Sequence, residues 1–182
     1  MTKIGIYPGS FDPVTLGHLD IIQRSMSVVD RLIVAVSDND SKNHMFDSAT
    51  RVKLIEESIS TLNEGLKDRI SVEKFDHLLV DYVKSKKSKI IIRGLRAVSD
   101  FEYEFLMTGM NRKIDNDIET IFLMSSEKYH FISSRFIKEI HRLGGDISSS
   151  VPKPVLDFLE KIWDVQDYSL RAHSSAGRAS DF

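Results

Sequence analysis

The sequence predicts an α/β fold built on a doubly wound, five-stranded parallel sheet with helices on both faces. Two observations predict this fold. Short apolar runs rich in β-branched residues alternate along the chain with longer stretches whose apolar residues recur at helical spacing. The short runs are apolar at nearly every position, which is typical of strands buried on both faces of a parallel sheet.

In the first half of the chain, each of two strand patterns precedes a helix pattern. The predicted strands are Lys3–Tyr7 and Arg31–Val36. Apolar residues three or four positions apart predict the two helices, and their bounds are Leu16–Val29 and Ala49–Leu62.

The same alternation continues in the second half. The predicted strands are Ile70–Phe75, Lys89–Ile92 and Ile118–Met124, and the predicted helices are Leu78–Lys86, Asp100–Ile114 and Ser133–Leu143. Prolines introduce a last short helix, Val155–Trp163, because proline is tolerated where a helix begins. Right-handed crossovers between these parallel strands give a Rossmann-like arrangement.

The composition limits the possible classes of protein. The chain has 182 residues, 41% hydrophobic and 29% charged, which predicts one folded domain over residues 1–165. Residues 166–182 are mostly small and polar, and we expect this tail to be disordered. The absence of cysteine excludes disulfides and thiolate sites. A net charge of -2 and short apolar runs favour neither nucleic acid nor a membrane as partner, so we expect a cytoplasmic protein.

The loop after the first predicted strand reads YPGSFDPVTLGH and ends at His18. Gly9 permits a positive φ or a close approach of the backbone to a ligand. Gly17 and His18 open a helix, whose N-terminus attracts phosphate, and His18 adds a directed donor for charge on an attacked phosphorus. Taken alone, the loop is also consistent with a simple turn and a helix-start histidine.

Two arginines, Arg93 and Arg96, flank Gly94 after the fourth predicted strand. One guanidinium group can donate to two phosphate oxygens at once, so two arginines at the end of this strand suit a polyphosphate. The alternative is that the arginines form surface ion pairs with acidic residues that follow, namely Asp100, Glu102 or Glu104.

A run of polar residues, Ser133, Ser134 and Arg135, comes after the fifth predicted strand. Ser133 has the composition of a helix N-cap. The same residues could instead present backbone N–H groups and hydroxyls to a phosphate at a second helix N-terminus.

These three segments resemble the nucleotidylyltransferase superfamily. The TLGH of residues 15–18 is similar to its [HT]-x-G-H signature, and the ISSR of residues 132–135 to its I-S-S-[ST] signature, with arginine in the last place. The longer strings YPGSFDPVTLGH and RGLRAVSDFEYE resemble bacterial phosphopantetheine adenylyltransferases.

The resemblance implies an enzyme that transfers the adenylyl group of ATP to 4'-phosphopantetheine, giving dephospho-CoA and pyrophosphate, in the penultimate step of coenzyme A biosynthesis. The attack would be direct and in line, without a covalent intermediate. Mg²⁺ would be the cofactor, held by phosphate oxygens and water, with no protein metal site. The resemblance also implies a homohexamer and feedback by CoA at the same site.

The resemblance assigns roles residue by residue. The catalytic residues would be His18 and Lys42. The ATP-binding residues would be Ser10, Phe11, His18, Gly94, Leu95, Arg96, Glu104, Tyr129, His130, Phe131, Ile132, Ser133, Ser134 and Arg135. Phosphopantetheine would contact Ser10, Lys42, Leu79 and Arg93.

Two other functions remain open. One is a related transferase, such as a nicotinamide mononucleotide adenylyltransferase, because the first loop serves chemistry that these enzymes share. The RGLRAVSDFEYE segment favours phosphopantetheine. The other is a nucleotide-binding module without turnover, which would need neither His18 nor Lys42 at the reacting phosphorus.

Overall fold

The structure is a computed structural model that describes residues 2–38, 44–96 and 98–162. Its strands are β1 (Ile4–Gly9), β2 (Arg31–Ser37), β3 (Ile70–Phe75), β4 (Ile90–Leu95) and β5 (Glu119–Met124). They form one parallel sheet in the order β3-β2-β1-β4-β5. The predicted five-stranded parallel sheet is therefore confirmed.

The helices are α1 (Leu16–Ser25), α2 (Ser48–Ser60), α3 (Glu64–Lys67), α4 (Leu79–Ser85), α5 (Val98–Ile114), α6 (Ser134–Arg142) and α7 (153–162). The single turn α3 was not predicted, since it buries no residue and so leaves no apolar spacing. A 3-10 turn, Glu127–Tyr129, precedes α6.

Helix α1 ends earlier than its apolar spacing predicts. Directly after Ser25 the backbone hydrogen bonds reach back three residues, and not four as in an α-helix. The N–H of Met26 donates to the Gln23 carbonyl, and the N–H of Val28 donates to the Ser25 carbonyl. Met26 and Val29 are nevertheless buried in the core. The apolar spacing therefore reports burial correctly but extends beyond the helix.

Helices cover both faces of the sheet, as predicted. Neighbouring residues of β1 point to opposite sides, so Tyr7 joins one buried cluster and Ile6 joins the other. Helices α1, α2 and α7 pack on the first cluster, which contains Ile22, Leu54 and Leu159. Helix α4 packs on the second cluster, chiefly through buried valines.

The strand order reverses at β1, and there the sheet opens. Strand β1 pairs with β2 from Ile4 to Gly9, but its pairing with β4 covers Gly5 and Ile6 among the described residues. Pro8 has no N–H to offer a neighbouring strand. The carboxyl ends of β1 and β4 therefore separate, at the place where parallel sheets of this order bind ligands.

Three parts of the predictions lie outside the described residues: the polar tail 166–182, the last residue of the final helix, Trp163, and the loop residue Lys42. Within the described residues, no helix combines the length and the apolar character that a membrane span requires.

Candidate active site

A cleft of about 470 Å³ lies at the opening between β1 and β4. It is lined by the end of β1 and its following loop, the start of α1, the end of β4, and the start of α6. Three segments far apart in the chain thus face one cavity: Gly17 with His18, Gly94 with Arg96, and Ser133 with Ser134. The size suits a small-molecule ligand.

His18 is held at the start of α1 by a reciprocal capping arrangement with Thr15. The N–H of Thr15 donates to His18 Nδ1 at 3.0 Å, and the Thr15 hydroxyl accepts from the His18 N–H at 3.4 Å. Histidine takes the place that glutamate or glutamine usually occupies in this motif. Because Nδ1 accepts a hydrogen bond, the neutral ring carries its proton on Nε2.

The environment keeps His18 neutral. Burial, together with the charges of Arg96 and Arg93, lowers the pKa of His18 to about 3. The edge of the Phe11 ring packs against the imidazole, with ring centroids 5.1 Å apart. His18 is therefore a neutral hydrogen-bond donor at the cleft rather than a cation.

This pKa predicts a pH dependence of folding stability. The unfolded chain protonates His18 near its ordinary value of 6.5, whereas the folded chain does so only near 3. The unfolded state thus binds the proton first, so stability decreases as pH falls from about 6.5 towards 3. We expect the melting temperature of His18→Gln, which keeps the capping acceptor, to fall less over this range than that of the wild type. An equal fall in melting temperature for the two proteins between pH 6.5 and pH 3 would contradict this prediction.

Gly9 is required for close packing and not for a positive φ. A Cβ at Gly9 would lie 2.9 Å from the ring of Phe11, which is closer than side chains pack. Phe11 itself has the positive φ, at 48°. The ring thereby folds back under β1 and against His18.

Arg93 bridges the opening between the two strands. Its Nη1 donates to the Pro8 carbonyl at 2.6 Å, its Nε donates to Glu104 Oε2 at 2.7 Å, and its Nη2 pairs with Glu104 Oε1. Burial acts to lower the pKa of Arg93, but the hydrogen bond and charge of Glu104 raise it above its ordinary value. Arg93 is a residue of β4 and not of the loop after it, because β4 continues to Leu95.

Arg96 links the end of β4 to the segment before α6. Its guanidinium donates to both carboxylate oxygens of Asp100, at 3.0 and 3.2 Å, and to the Ile132 carbonyl at 3.0 Å. Both alternatives for the two arginines are therefore compatible with the structure, since each forms an ion pair and each also lines the cleft.

The two serines at the start of α6 have structural partners. The Ser133 hydroxyl accepts from the Phe136 N–H at 3.2 Å, which confirms the N-cap interpretation. The Ser134 hydroxyl donates to the Pro13 carbonyl at 2.8 Å and so ties α6 to the first loop. The N-cap Ser133 and the first two residues of α6, Ser134 and Arg135, line the cleft.

Most of the predicted ATP-binding residues line this cleft, namely Ser10, Phe11, His18, Gly94, Arg96, Glu104, Ile132, Ser133, Ser134 and Arg135. Others lie elsewhere. The Leu95 side chain is buried in the core, and Phe131 is 91% exposed. Tyr129 and His130 belong to the 3-10 turn before α6, and His130 Nε2 bonds to the Ser125 carbonyl at 2.9 Å.

The predicted phosphopantetheine contacts divide between two cavities. Ser10 and Arg93 line the large cleft, whereas Leu79 lines a pocket of about 90 Å³ between α4 and α5. The two cavities share the side chains of Arg93, Tyr103 and Glu104. Leu79 is thus separated from the large cleft by a shared wall.

Several lining and supporting residues were not predicted. Tyr7, Asp100, Tyr103 and Ser125 line the cleft. The buried carboxylate of Asp12 accepts from the N–H groups of Met45 and Phe46 and from Lys138 Nζ, all at 2.8–3.0 Å. No local pattern in the sequence marks Asp12, because its partners Met45, Phe46 and Lys138 are distant in the chain.

Comparison with known proteins agrees with this geometry. Residues 6–140 match the family model described as Cytidylyltransferase-like. A phosphopantetheine adenylyltransferase of Acidiphilium cryptum is 51% identical over 85% of this chain and 91% of its own length, and one of Pelagibacter ubique is 48% identical over 90% and 100%. A bifunctional NMN adenylyltransferase/ADP ribose pyrophosphatase of Francisella tularensis shares the fold, with a TM-score of 0.64 at 14% identity over 100% of this chain and 58% of that chain. The chain belongs to the phosphopantetheine adenylyltransferase family.

Proposed function

We propose that the chain transfers the adenylyl group of ATP to the phosphate of 4'-phosphopantetheine, forming dephospho-CoA and pyrophosphate in coenzyme A biosynthesis. Membership of the family supports this proposal. The observation that carries it is the convergence of two helix N-termini, two arginines and a neutral histidine on one cleft. These groups are hydrogen-bond donors, and a triphosphate is a dense set of acceptors.

The proposed reaction is a direct displacement. A phosphate oxygen of 4'-phosphopantetheine forms a bond to the α-phosphorus of ATP, and the bond from that phosphorus to the bridging oxygen breaks. Pyrophosphate leaves with the electron pair. Such a transfer depends on positioning and on stabilising charge on the phosphorus oxygens, so it needs no covalent nucleophile from the protein.

The Nε2–H of His18 is suited to donate to an oxygen of the α-phosphate. The group is neutral, so it adds a directed dipole whose orientation is fixed by Thr15. Arg96 and the first residues of α6, which line the same cleft, are the proposed contacts of the outer phosphates. Lys42 remains the proposed second catalytic residue.

The smaller pocket is a candidate for the pantetheine arm. It combines the apolar side chains of Leu79, Ile91 and Met107 with the polar ones of Thr108 and Asn111. A pantetheine chain has amides separated by alkyl segments, which matches this mixed lining. Arg93, on the wall shared with the large cleft, would then lie beside the phosphate that reacts, and CoA could compete for the same surface.

Mg²⁺ is proposed as the cofactor, bound mainly by phosphate oxygens and water. Among the described residues, no group of three or more histidine or acidic side chains could hold a metal ion. The two carboxylates of the cleft, Asp100 and Glu104, are both engaged by arginines. The ion would neutralise phosphate charge when it is bound.

The direct test is acceptor-dependent pyrophosphate release from ATP. We expect release with 4'-phosphopantetheine and little with nicotinamide mononucleotide or with no acceptor. Release with nicotinamide mononucleotide instead would identify a related transferase. Binding of ATP with no release under any condition would identify a binding module and refute the proposal.

We also infer that the chain assembles with copies of itself, and the resemblance suggests a homohexamer. Helix α5 carries a row of large apolar side chains at helical spacing that are 39–67% exposed, namely Tyr103, Leu106, Met107, Met110 and Ile114. Helix α6 and the turn before it add Phe131, Phe136, Ile140 and Leu143. Exposed apolar surface of this extent usually marks an interface.

A charge on this row of α5 should disrupt assembly. Leu106 is 67% exposed, so Leu106→Asp should cost the folded single chain little while placing a charge in a buried interface. We expect a lower mass in sedimentation equilibrium than for the wild type. Gln23→Asp, which adds the same charge to an exposed position of α1, is the control and should keep the wild-type mass. An unchanged mass for Leu106→Asp would exclude this face of α5 from the interface.

A further inference from the structure

The carboxylate of Asp12 joins three segments of the chain. Its side chain is 3% exposed. Its Oδ2 accepts from the Met45 N–H and from Lys138 Nζ, both at 2.8 Å, and its Oδ1 accepts from the Phe46 N–H at 3.0 Å. Asp12 itself does not line the cleft in the described part of the chain, but the two residues before it do. The carboxylate thus connects the first loop to α6 and to the residues before α2.

The connection to the residues before α2 is independent of α6. Arg51 donates to the carbonyls of Ser10 and Phe46, at 2.7 and 3.0 Å, while the Phe46 N–H donates to Asp12. These bonds fix the first loop against the start of α2. Removing a contact of α6 leaves all of them in place, so the first loop is a fixed reference for the position of α6.

Helix α6 is held only weakly by apolar packing within the chain. All nine of its residues are described, and of these only Ile137 is buried. The apolar side chains of Phe136 and Ile140 are exposed instead. One buried side chain does not fix both the rotation and the position of a helix, so polar contacts must contribute.

Two polar contacts tie α6 to the first loop. The Ser134 hydroxyl donates to the Pro13 carbonyl at 2.8 Å, and Lys138 Nζ donates to Asp12 Oδ2 at 2.8 Å. Residues four apart lie on the same face of a helix. One face of α6 is therefore tied to two consecutive residues of the first loop.

The Lys138–Asp12 ion pair differs from an ordinary surface pair, which contributes little because water competes for both charges. Its acceptor is buried and is oriented by two backbone N–H groups. A charge-assisted hydrogen bond to such an acceptor is stronger than one in open solvent. Loss of Lys138 would leave Asp12 its two N–H donors but would remove one of the two ties of α6.

We propose that Asp12 and Lys138 form a positioning pair that sets the first turn of α6 against the first loop. The inference rests on the proposed function, because this position affects turnover only if both segments hold substrate. Ser134 and Arg135 of α6 line the same cleft as Ser10 of the first loop. Charge grows on the leaving pyrophosphate during the proposed displacement, so a shift of α6 would weaken contacts that strengthen as the reaction proceeds.

The main variant is Lys138→Met, which removes the ammonium group and keeps most of the alkyl chain. We expect kcat for pyrophosphate release, at saturating ATP and 4'-phosphopantetheine, to fall about tenfold, the scale of losing one hydrogen bond to a charged group. The KM for 4'-phosphopantetheine should be unchanged, because the candidate pocket for its arm lies between α4 and α5. Lys138→Arg, which keeps a cationic donor, should recover most of the lost turnover.

Lys153→Met is the matched control. Lys153 Nζ also pairs with an aspartate, Asp157, at 3.1 Å, but both residues belong to α7 and their side chains are 82% and 44% exposed. The substitution removes the same charge from a pair that does not join α6 to the first loop. We expect wild-type kcat and KM, and a tenfold fall in kcat here as well would refute the positioning pair.

A second comparison tests whether Lys138 acts through Asp12. In the Asp12→Asn background, Lys138→Met should lower kcat by no more than about twofold, because the partner charge is already absent. A tenfold fall in both backgrounds would show that Lys138 acts independently of Asp12. Melting temperatures establish that each variant is folded. If Asp12→Asn does not fold, the three lysine variants still decide the question.

Amide hydrogen exchange measures the position of α6 without turnover. Lys138→Met should speed exchange in α6 but not in α7, and Lys138→Arg should restore slow exchange. Unchanged kcat or unchanged exchange in Lys138→Met would refute the positioning pair and leave the transfer in place. Absence of pyrophosphate release by the wild type would refute the transfer, whereas faster exchange in α6 would still support the tie between α6 and the first loop.

Discussion

Replacing His18 by alanine should lower turnover by about 10²–10³-fold or more, the scale of losing one preorganised donor at a developing charge. The substitution removes the Nε2–H that Thr15 aims into the cleft. Rigid placement matters because a donor that must reorient during the reaction contributes less. The measurement is kcat for pyrophosphate release at saturating ATP and 4'-phosphopantetheine.

The control for this prediction comes from the capping arrangement itself. His18→Gln keeps an acceptor for the Thr15 N–H and retains an N–H donor, because glutamine commonly occupies this place at helix starts. We expect its thermal stability to match the wild type near pH 7 and its turnover to fall between those of wild type and His18→Ala. Wild-type turnover in His18→Ala would remove His18 from the catalytic role.

The sequence predicts the sheet because strand burial leaves a local signal. The run that forms β2 is apolar over nearly its full length, and the order of such runs along the chain is enough to predict a parallel sheet. Strand β4 shows where this signal fails. Its apolar run stops at Ile92, yet its pairing with β5 continues through Arg93 and Gly94 to Leu95. Pairing with β5 is what extends β4 to Leu95, and the local sequence of β4 does not show which strand lies beside it.

The candidate site also contains both residues that the sequence predicts and residues that it does not. His18, Arg96 and Ser134 were each predicted as phosphate contacts, and they come together because the strands before them end at one edge of a parallel sheet. Ser125 also follows a strand, but a serine at a strand end is common in loops and gave no reason to single it out. Its place in the lining of the cleft depends on how distant segments meet, and a sequence does not show this at a single position.

Arg51 is the strongest example of a role that sequence pattern hides. Arginine in an amphipathic helix ordinarily lies on the surface, but Arg51 is 1% exposed. Its guanidinium donates to the carbonyls of Phe46 at 3.0 Å, Ser10 at 2.7 Å and Ser37 at 2.9 Å. One buried side chain thus joins the end of β2, the first loop and the start of α2.

Replacing Arg51 by methionine should destabilise the protein by about 3–5 kcal/mol, the cost of removing one partner from a buried charged network. Methionine fills part of the volume but leaves three carbonyls without a donor. Urea unfolding followed by circular dichroism measures the change. A loss below about 0.5 kcal/mol, typical of surface substitutions, would show that the three carbonyls find other partners.

Arg69→Met is the matched control, because Arg69 also donates to three carbonyls, those of Asp30, Met26 and Val29, at the opposite edge of the sheet. Both variants should unfold at lower urea concentration. Only Arg51→Met should also raise the KM for substrate at a temperature where both proteins are folded, because Arg51 alone of the two fixes Ser10 at the cleft. An equal rise in KM for the two variants would show that general loosening of the fold, and not the position of the first loop, controls substrate binding.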